Sequence, residues 1–245
     1  MAALVSNKVD MRSQLQNEIL LLQGFRPLNS AAVDLGLGPV KDAFPNASFP
    51  LGAVHEFLSP TAENAAVTSG FIAGLLAPLM RSGGTSLWIS TSRTLFPPAL
   101  KNFGIAPDQF IFIDVKREKD ALWAMDEALK CGALAAVVGE VHDLSFTASR
   151  RLQLAVEQSR ATGFVLRRGA GNVGTTACVT RWKITSLASE PIDDLPGVGF
   201  PHWQVELLRV RNGRPGAWNL MWERGAFRPV YKLPPFFHEQ KKKAG

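Results

Sequence analysis

Residues 52–68 read GAVHEFLSPTAENAAVT, and the parsing of that stretch decides the fold. The apolar run 53–58 reads as a buried strand, Ser59 to Asn64 as a polar turn, and the small-residue stretch 65–81 as a helix closed by Gly83 and Gly84. Strand, turn and helix in this order frame a phosphate-binding loop. A working loop needs glycines so that backbone N–H groups can close around phosphates, a lysine for the terminal phosphates and a hydroxyl for magnesium. Here Ser59, Pro60, Thr61, Ala62, Glu63 and Asn64 include no glycine, and Ala65 and Ala66 stand where the lysine and the hydroxyl belong. Glu63 would repel a phosphate with no lysine to offset it, while the helix N-terminus supplies only a partial positive charge. Tight ATP binding is not expected, and neither is any other cofactor.

Strands and helices alternate outward from this stretch. Strands are expected at 85–90 (TSLWIS), 109–115 (QFIFIDV), 133–138 (ALAAVV) and 163–167, and helices at 118–130 and 148–161. Leu122, Met125 and Leu129 form the inward stripe of the first of those helices. Such alternation gives an α/β fold with a mainly parallel sheet and right-handed crossovers. After Gly174 the rhythm changes: TACVTRWKITSL, HWQVELLRVRN and AWNLMWERGAF read as antiparallel edge strands, with a hairpin turn at Arg211–Arg214. Near the N-terminus, Met11, Leu15, Ile19 and Leu22 share one helical stripe ending at Gly24. That stripe either packs on its own domain or docks on a partner. The organisation expected is an N-terminal helix and possible association segment (1–26), a linker (27–50), a core domain (51–233) and a disordered basic tail (234–245).

The apolar fraction is 46% and the charged fraction 20%, as in folded globular chains. A net charge of +6 and a pI near 9.6 bring acidic partners to mind, nucleic acid ahead of membrane. Between residues 150 and 183, Arg150, Arg151, Arg160, Arg167, Arg168, Arg181 and Lys183 stand against Glu157 alone. A solvated basic face is the plain reading of this excess, and a nucleic-acid contact is the functional one. Cys131 and Cys178 lie in apolar surroundings and read as free buried thiols of a reducing compartment. The N-terminus lacks a signal-peptide pattern, and the most apolar stretch, 65–80, is too short to span a bilayer. A cytoplasmic location with no membrane contact follows as the expectation.

Gly169, Gly171 and Gly174 fit the dinucleotide fingerprint in spacing. That fingerprint needs a helix at its third glycine, whereas TTACVTRWKIT is strand-like. A glycine loop flanked by Arg167 and Arg168 is the better reading, placed to follow a nucleic-acid backbone. Arg150, Arg151, Arg167, Arg168, Gly169, Gly171 and Gly174 are therefore the DNA-binding candidates. The plain alternative pairs Arg167 and Arg168 with Glu140 or Asp143. Glu140 lies past the ALAAVV strand where a magnesium-binding carboxylate would sit, but Gly139 holds the position directly after that strand. The four histidines have no metal-ligand spacing, and Ser145 and Ser149 lack a nucleophile's context. No catalytic residue and no metal site is expected.

The order of these elements resembles the RecA core, with Ser48–Glu56 as its first strand and 133–138 in the place of its magnesium-binding strand. Ser149-Arg-Arg-Leu-Gln-Leu-Ala155, followed by Gly163-Phe-Val-Leu-Arg-Arg168, is more specific. It resembles the signature shared by the ImuA family and the cell-division inhibitor SulA. SulA is shorter and lacks so long an N-terminal segment, so ImuA is the closer match, over roughly residues 10–230. That resemblance implies a degenerate phosphate loop and a role in SOS-induced mutagenic DNA repair by translesion synthesis. The implied partners are an ImuB-like Y-family polymerase relative and an error-prone replicative-type DNA polymerase; single-stranded DNA is a further candidate partner from the arginine and glycine segment, and self-association a candidate role of the N-terminal helix. A SulA-like inhibitor of a tubulin-like division protein and an active RecA-type ATPase are the competing readings.

Overall fold

The computed structural model describes residues 33–81, 84–169, 173–189 and 199–231, together with Met11, Gln14, Leu15, Glu18 and Ile19. Its centre is a nine-stranded sheet in the order β3-β2-β4-β5-β1-β6-β7-β8-β9. The strands are β1 (Val54–Ser59), β2 (Thr85–Ser90), β3 (Phe110–Asp114), β4 (Leu134–Val141), β5 (Thr162–Arg168), β6 (Thr180–Leu187), β7 (His202–Val210), β8 (Gly216–Glu223) and β9 (Ala226–Pro229). From β3 to β6 every neighbouring pair is parallel, and from β6 to β9 every pair is antiparallel. The α/β class, the parallel core and the antiparallel edge thus stand as read from the sequence.

Three α-helices flank the sheet: α1 (Ala62–Met80), α2 (Glu118–Leu129) and α3 (Phe146–Ser159). On one face, Phe71, Ile72 and Leu75 of α1 pack on Phe57, Phe164 and Trp182 of the strands. On the other, Met125 and Leu129 of α2 and Leu152 and Val156 of α3 pack on Val54, Ile89, Val137 and Val165. Each fully buried large side chain contributes about 1.5–3 kcal/mol of transfer free energy, so these two layers dominate the stability. Helix α1 packs on the strands along one side, and Phe227 of β9 and Trp222 of β8 press against it at Gly74. A Cβ on Gly74 would lie 2.6 Å from Cζ of Phe227.

The boundaries differ from expectation in informative ways. Helix α1 starts at Ala62, three residues early, because Thr61 caps it by accepting the Asn64 N–H at 3.1 Å. Ser145 caps α3 in the same way through Ala148 N–H, so α3 starts at Phe146, two residues before the expected 148. Strand β4 continues three residues beyond the apolar run, since β2 pairs with it as far as Gly139 and β5 as far as Val141. The segment AWNLMWERGAF is two strands, broken where Arg224 and Gly225 take positive φ. Cys131 is exposed rather than buried, whereas Cys178 is buried; both are free.

Candidate degenerate phosphate-loop site

Only Pro60 and Thr61 connect β1 to α1. A phosphate loop must turn several consecutive N–H groups towards one point, and two residues cannot do so. Pro60 has no N–H at all. The turn is closed from within: the Thr61 carbonyl receives the Ala65 N–H at 3.0 Å, and the Ser59 carbonyl receives the Gly169 N–H at 2.9 Å. Ala62, Glu63 and Asn64 are helix rather than loop. Glu63 bonds Ser186 Oγ at 2.8 Å and sits in the first turn of α1, where the helix dipole favours a carboxylate. Ala65 is buried and Ala66 exposed, each within the helix.

Across from this turn, on the same face of the sheet, stands an ion pair in place of a metal site. Glu140 belongs to β4, not to a loop after it, and is 2% exposed. Its Oε1 accepts the Trp88 indole N–H at 2.7 Å, and its Oε2 meets Arg168 Nη1 at 3.2 Å. The same nitrogen donates to Ser92 Oγ at 2.5 Å and Thr94 Oγ1 at 3.2 Å. The carboxylate where magnesium would be held is therefore already neutralised by a guanidinium from the end of β5. Among the described residues no cluster of three or more acids, histidines or cysteines could hold a metal. The residues present do not fit a magnesium–nucleotide complex.

Adjacent residues of a strand point to opposite faces, so Arg167 turns away from Arg168. Arg167 donates from Nη1 to Glu56 Oε1 at 2.8 Å and from Nη2 to Asp143 Oδ1 at 3.1 Å. Glu56, fully buried, also accepts from Arg181 Nε at 2.7 Å and Thr176 Oγ1 at 2.9 Å. Arg181 Nη2 reaches the Gly174 carbonyl, and Arg209 Nη2 reaches those of Thr176 and Cys178. Arginines thus pin segment 174–178 against the sheet. Burial, helped by the Arg181 charge, lowers the Arg209 pKa, and burial pushes the Cys178 thiol up to about 12.

The DNA-binding candidates fare unevenly. Arg167 is 1% exposed, so the expected phosphate contact is withdrawn for it; the plain pairing alternative describes both Arg167 and Arg168. Arg151 pairs with buried Asp126 at 2.9 Å, and Arg150 lies 3.9 Å from Glu157. Gly169 takes φ of +63° beside the phosphate-loop turn, and Gly174 is an acceptor for Arg181. Gly171 lies outside the described residues. Met11, Leu15 and Ile19 are helical and exposed, while Leu22 is outside the described residues. Sequence reasoning missed the role of Glu56, whose partners lie 111 and more residues away. The available signal was a glutamate in the middle of a buried strand, which demands a buried cation.

No protein-family model matches this chain. Protein ImuA of Caulobacter vibrioides is 34% identical over 200 residues, covering 77% of this chain and 82% of that protein. The cell division inhibitor SulA of Photorhabdus laumondii is 32% identical over 97 residues, covering 38% of this chain and 55% of that protein. Among solved structures, the RadB recombinase superposes with a TM-score of 0.57 at 14% identity, covering 81% of this chain and all of that one. This last likeness establishes a RecA-like recombinase fold and nothing finer.

Proposed function

Because the chain belongs to the ImuA family, we propose that it is a non-catalytic RecA-like adaptor in damage-induced mutagenesis. In this reading it brings an ImuB-like polymerase relative and an error-prone replicative-type polymerase together during translesion synthesis, in the cytoplasm. The observation that carries the non-catalytic part is the pairing of a two-residue β1–α1 turn with the Arg168–Glu140 ion pair. The turn removes the cradle for phosphates, and the pair takes up the carboxylate that a metal would use. A fold that keeps its sheet while losing this chemistry retains value as a binding platform. No helix among the described residues is long and apolar enough to cross a membrane, which is consistent with such a role.

Calorimetric titration with Mg-ATP tests the first half: no heat of binding is expected, and micromolar affinity would overturn it. Co-purification of the full chain with each polymerase-type partner tests the second. Recovery of a tubulin-like division GTPase in place of the polymerases would favour the SulA-like reading and sink the adaptor.

A further inference from the structure

Arg168 borders two hollows at once. The first, about 290 Å³, includes Thr61, Ser92 and His142 in its wall. The second is an apolar groove of about 610 Å³ along α1, beside the 3-10 segment Pro97–Phe103. Ala66, Ala73, Leu95, Phe96, Phe103 and Trp203 are among the residues that line it. Phe96 is 67% exposed, so this apolar surface is open to solvent rather than sealed into the core. Arg168 is the one charged side chain in that lining. All the hydrogen bonds of its guanidinium leave from Nη1. Among the described residues nothing meets Nε or Nη2, whose N–H groups form the side-on fork that receives a carboxylate in two parallel bonds.

We infer that the groove takes a short polypeptide segment of a partner protein, carrying a carboxylate flanked by large apolar side chains. The carboxylate meets the Nε–Nη2 edge of Arg168, and the apolar side chains lie against Phe96, Phe103 and Trp203. Aromatic walls around one half-buried arginine are the composition of an interface hot spot. The volume falls in the range of roughly 300–1,000 Å³ that encloses a ligand of a few side chains. Nucleic acid fits less well, because successive phosphates need a line of cations. The groove offers one, already shared with Glu140. The inference rests on the adaptor reading and gives that platform an address.

Fluorescence anisotropy on the full chain tests it. The probe is a labelled pentapeptide, Leu-Phe-Glu-Phe-Leu, with versions carrying glutamine or lysine at the centre. The glutamate peptide is expected to bind about tenfold tighter than either control. Phe96→Ala and Ala66→Glu, both at exposed positions, should each weaken it by about tenfold with the thermal melt unchanged. Equal binding of the three peptides, or indifference to both substitutions, would overturn the inference. So would an oligothymidine probe whose binding Ala66→Glu abolishes, since the groove would then belong to nucleic acid. Loss of polymerase co-purification with the peptide response intact would sink the adaptor reading alone, and the converse would sink the groove alone.

Discussion

His55 shows how one buried side chain can set the acid limit of the fold. Its Nε2–H donates to the Pro50 carbonyl at 2.9 Å, which leaves Nδ1 to accept from the Thr180 hydroxyl at 2.8 Å. That hydroxyl in turn accepts the Trp182 indole N–H at 2.6 Å. Burial lowers the His55 pKa to about 3, against the opposing pull of the Pro50 bond. The folded chain therefore keeps this ring neutral where the unfolded chain, with a pKa near 6.5, binds a proton. Stability from this site is complete above about pH 6.5 and is lost as pH falls towards 3, by at most about 1.4 kcal/mol per unit. Urea midpoints at pH 7, 5.5 and 4.5 should fall accordingly, and His55→Asn should remove one proton from the dependence. An identical pH slope in that variant would show that other groups set the limit. Arg167 is the second case. Arg167→Ala leaves Glu56 short of a buried partner and should cost about 3–5 kcal/mol in urea unfolding. A midpoint within error of the parent would mean that Arg181 alone satisfies Glu56. Glu56 signals from sequence that some cation must be buried beside it, but not which one, since the partners are distant in the chain and an Arg-Arg pair before a glycine loop looks like an anion contact.

At the level of elements, nearly every strand was legible, because hydrophobic period and length carry that information, and so was the change from a parallel core to an antiparallel edge; the strand order was not. The start of α1 was not, and the missed signal was local. Thr61 followed three residues later by Asn64 is a capping arrangement, and it converts an apparent loop into a first helical turn. Thr61→Ala should lower stability by about 1 kcal/mol, read as a shift in urea midpoint without change of slope. Gly74→Ala probes the other end of α1. Its new Cβ would meet Phe227 at 2.6 Å and Trp222 at 3.0 Å, and the overpacking should cost about 1–3 kcal/mol. A neutral result would mean that Phe227 and Trp222 yield freely, and that their packing against α1 is loose. The N-terminal helix belongs to this scale too. Met11, Leu15 and Ile19 are each more than half exposed, so removing residues 1–25 should leave the melt of the core unchanged and reduce self-association in sedimentation. A collapsed melt would make the segment part of the core.

For the molecule as a whole, the basic excess has to be divided before it can be assigned a purpose. Arg167, Arg168 and Arg181 are each paired with a buried acid, so their charge is largely spent inside the fold, and Arg151 pairs from the surface with buried Asp126. This is why a count of cations along residues 150–183 overstated the surface field. Charge patterning gives the sum from sequence, but only the fold shows which charges face each other. Residues 232–245 carry Lys232, Lys241, Lys242 and Lys243 against Glu239, half of the chain's net charge of +6. If the chain contacts single-stranded DNA, the contact should be weak, independent of sequence and carried in good part by this segment. Each neutralised phosphate adds about 0.7 to the slope of log affinity against log salt on single strands. Ending the chain at Tyr231 should therefore flatten that slope by roughly 2 and lower the affinity at low salt. Fluorescence anisotropy with an oligothymidine from low to moderate salt measures both. An unchanged slope after truncation would place the contact on the folded surface, with half-exposed Arg150 as the first side chain to substitute. Absence of binding by the full chain at low salt would leave the excess charge to protein partners and solubility.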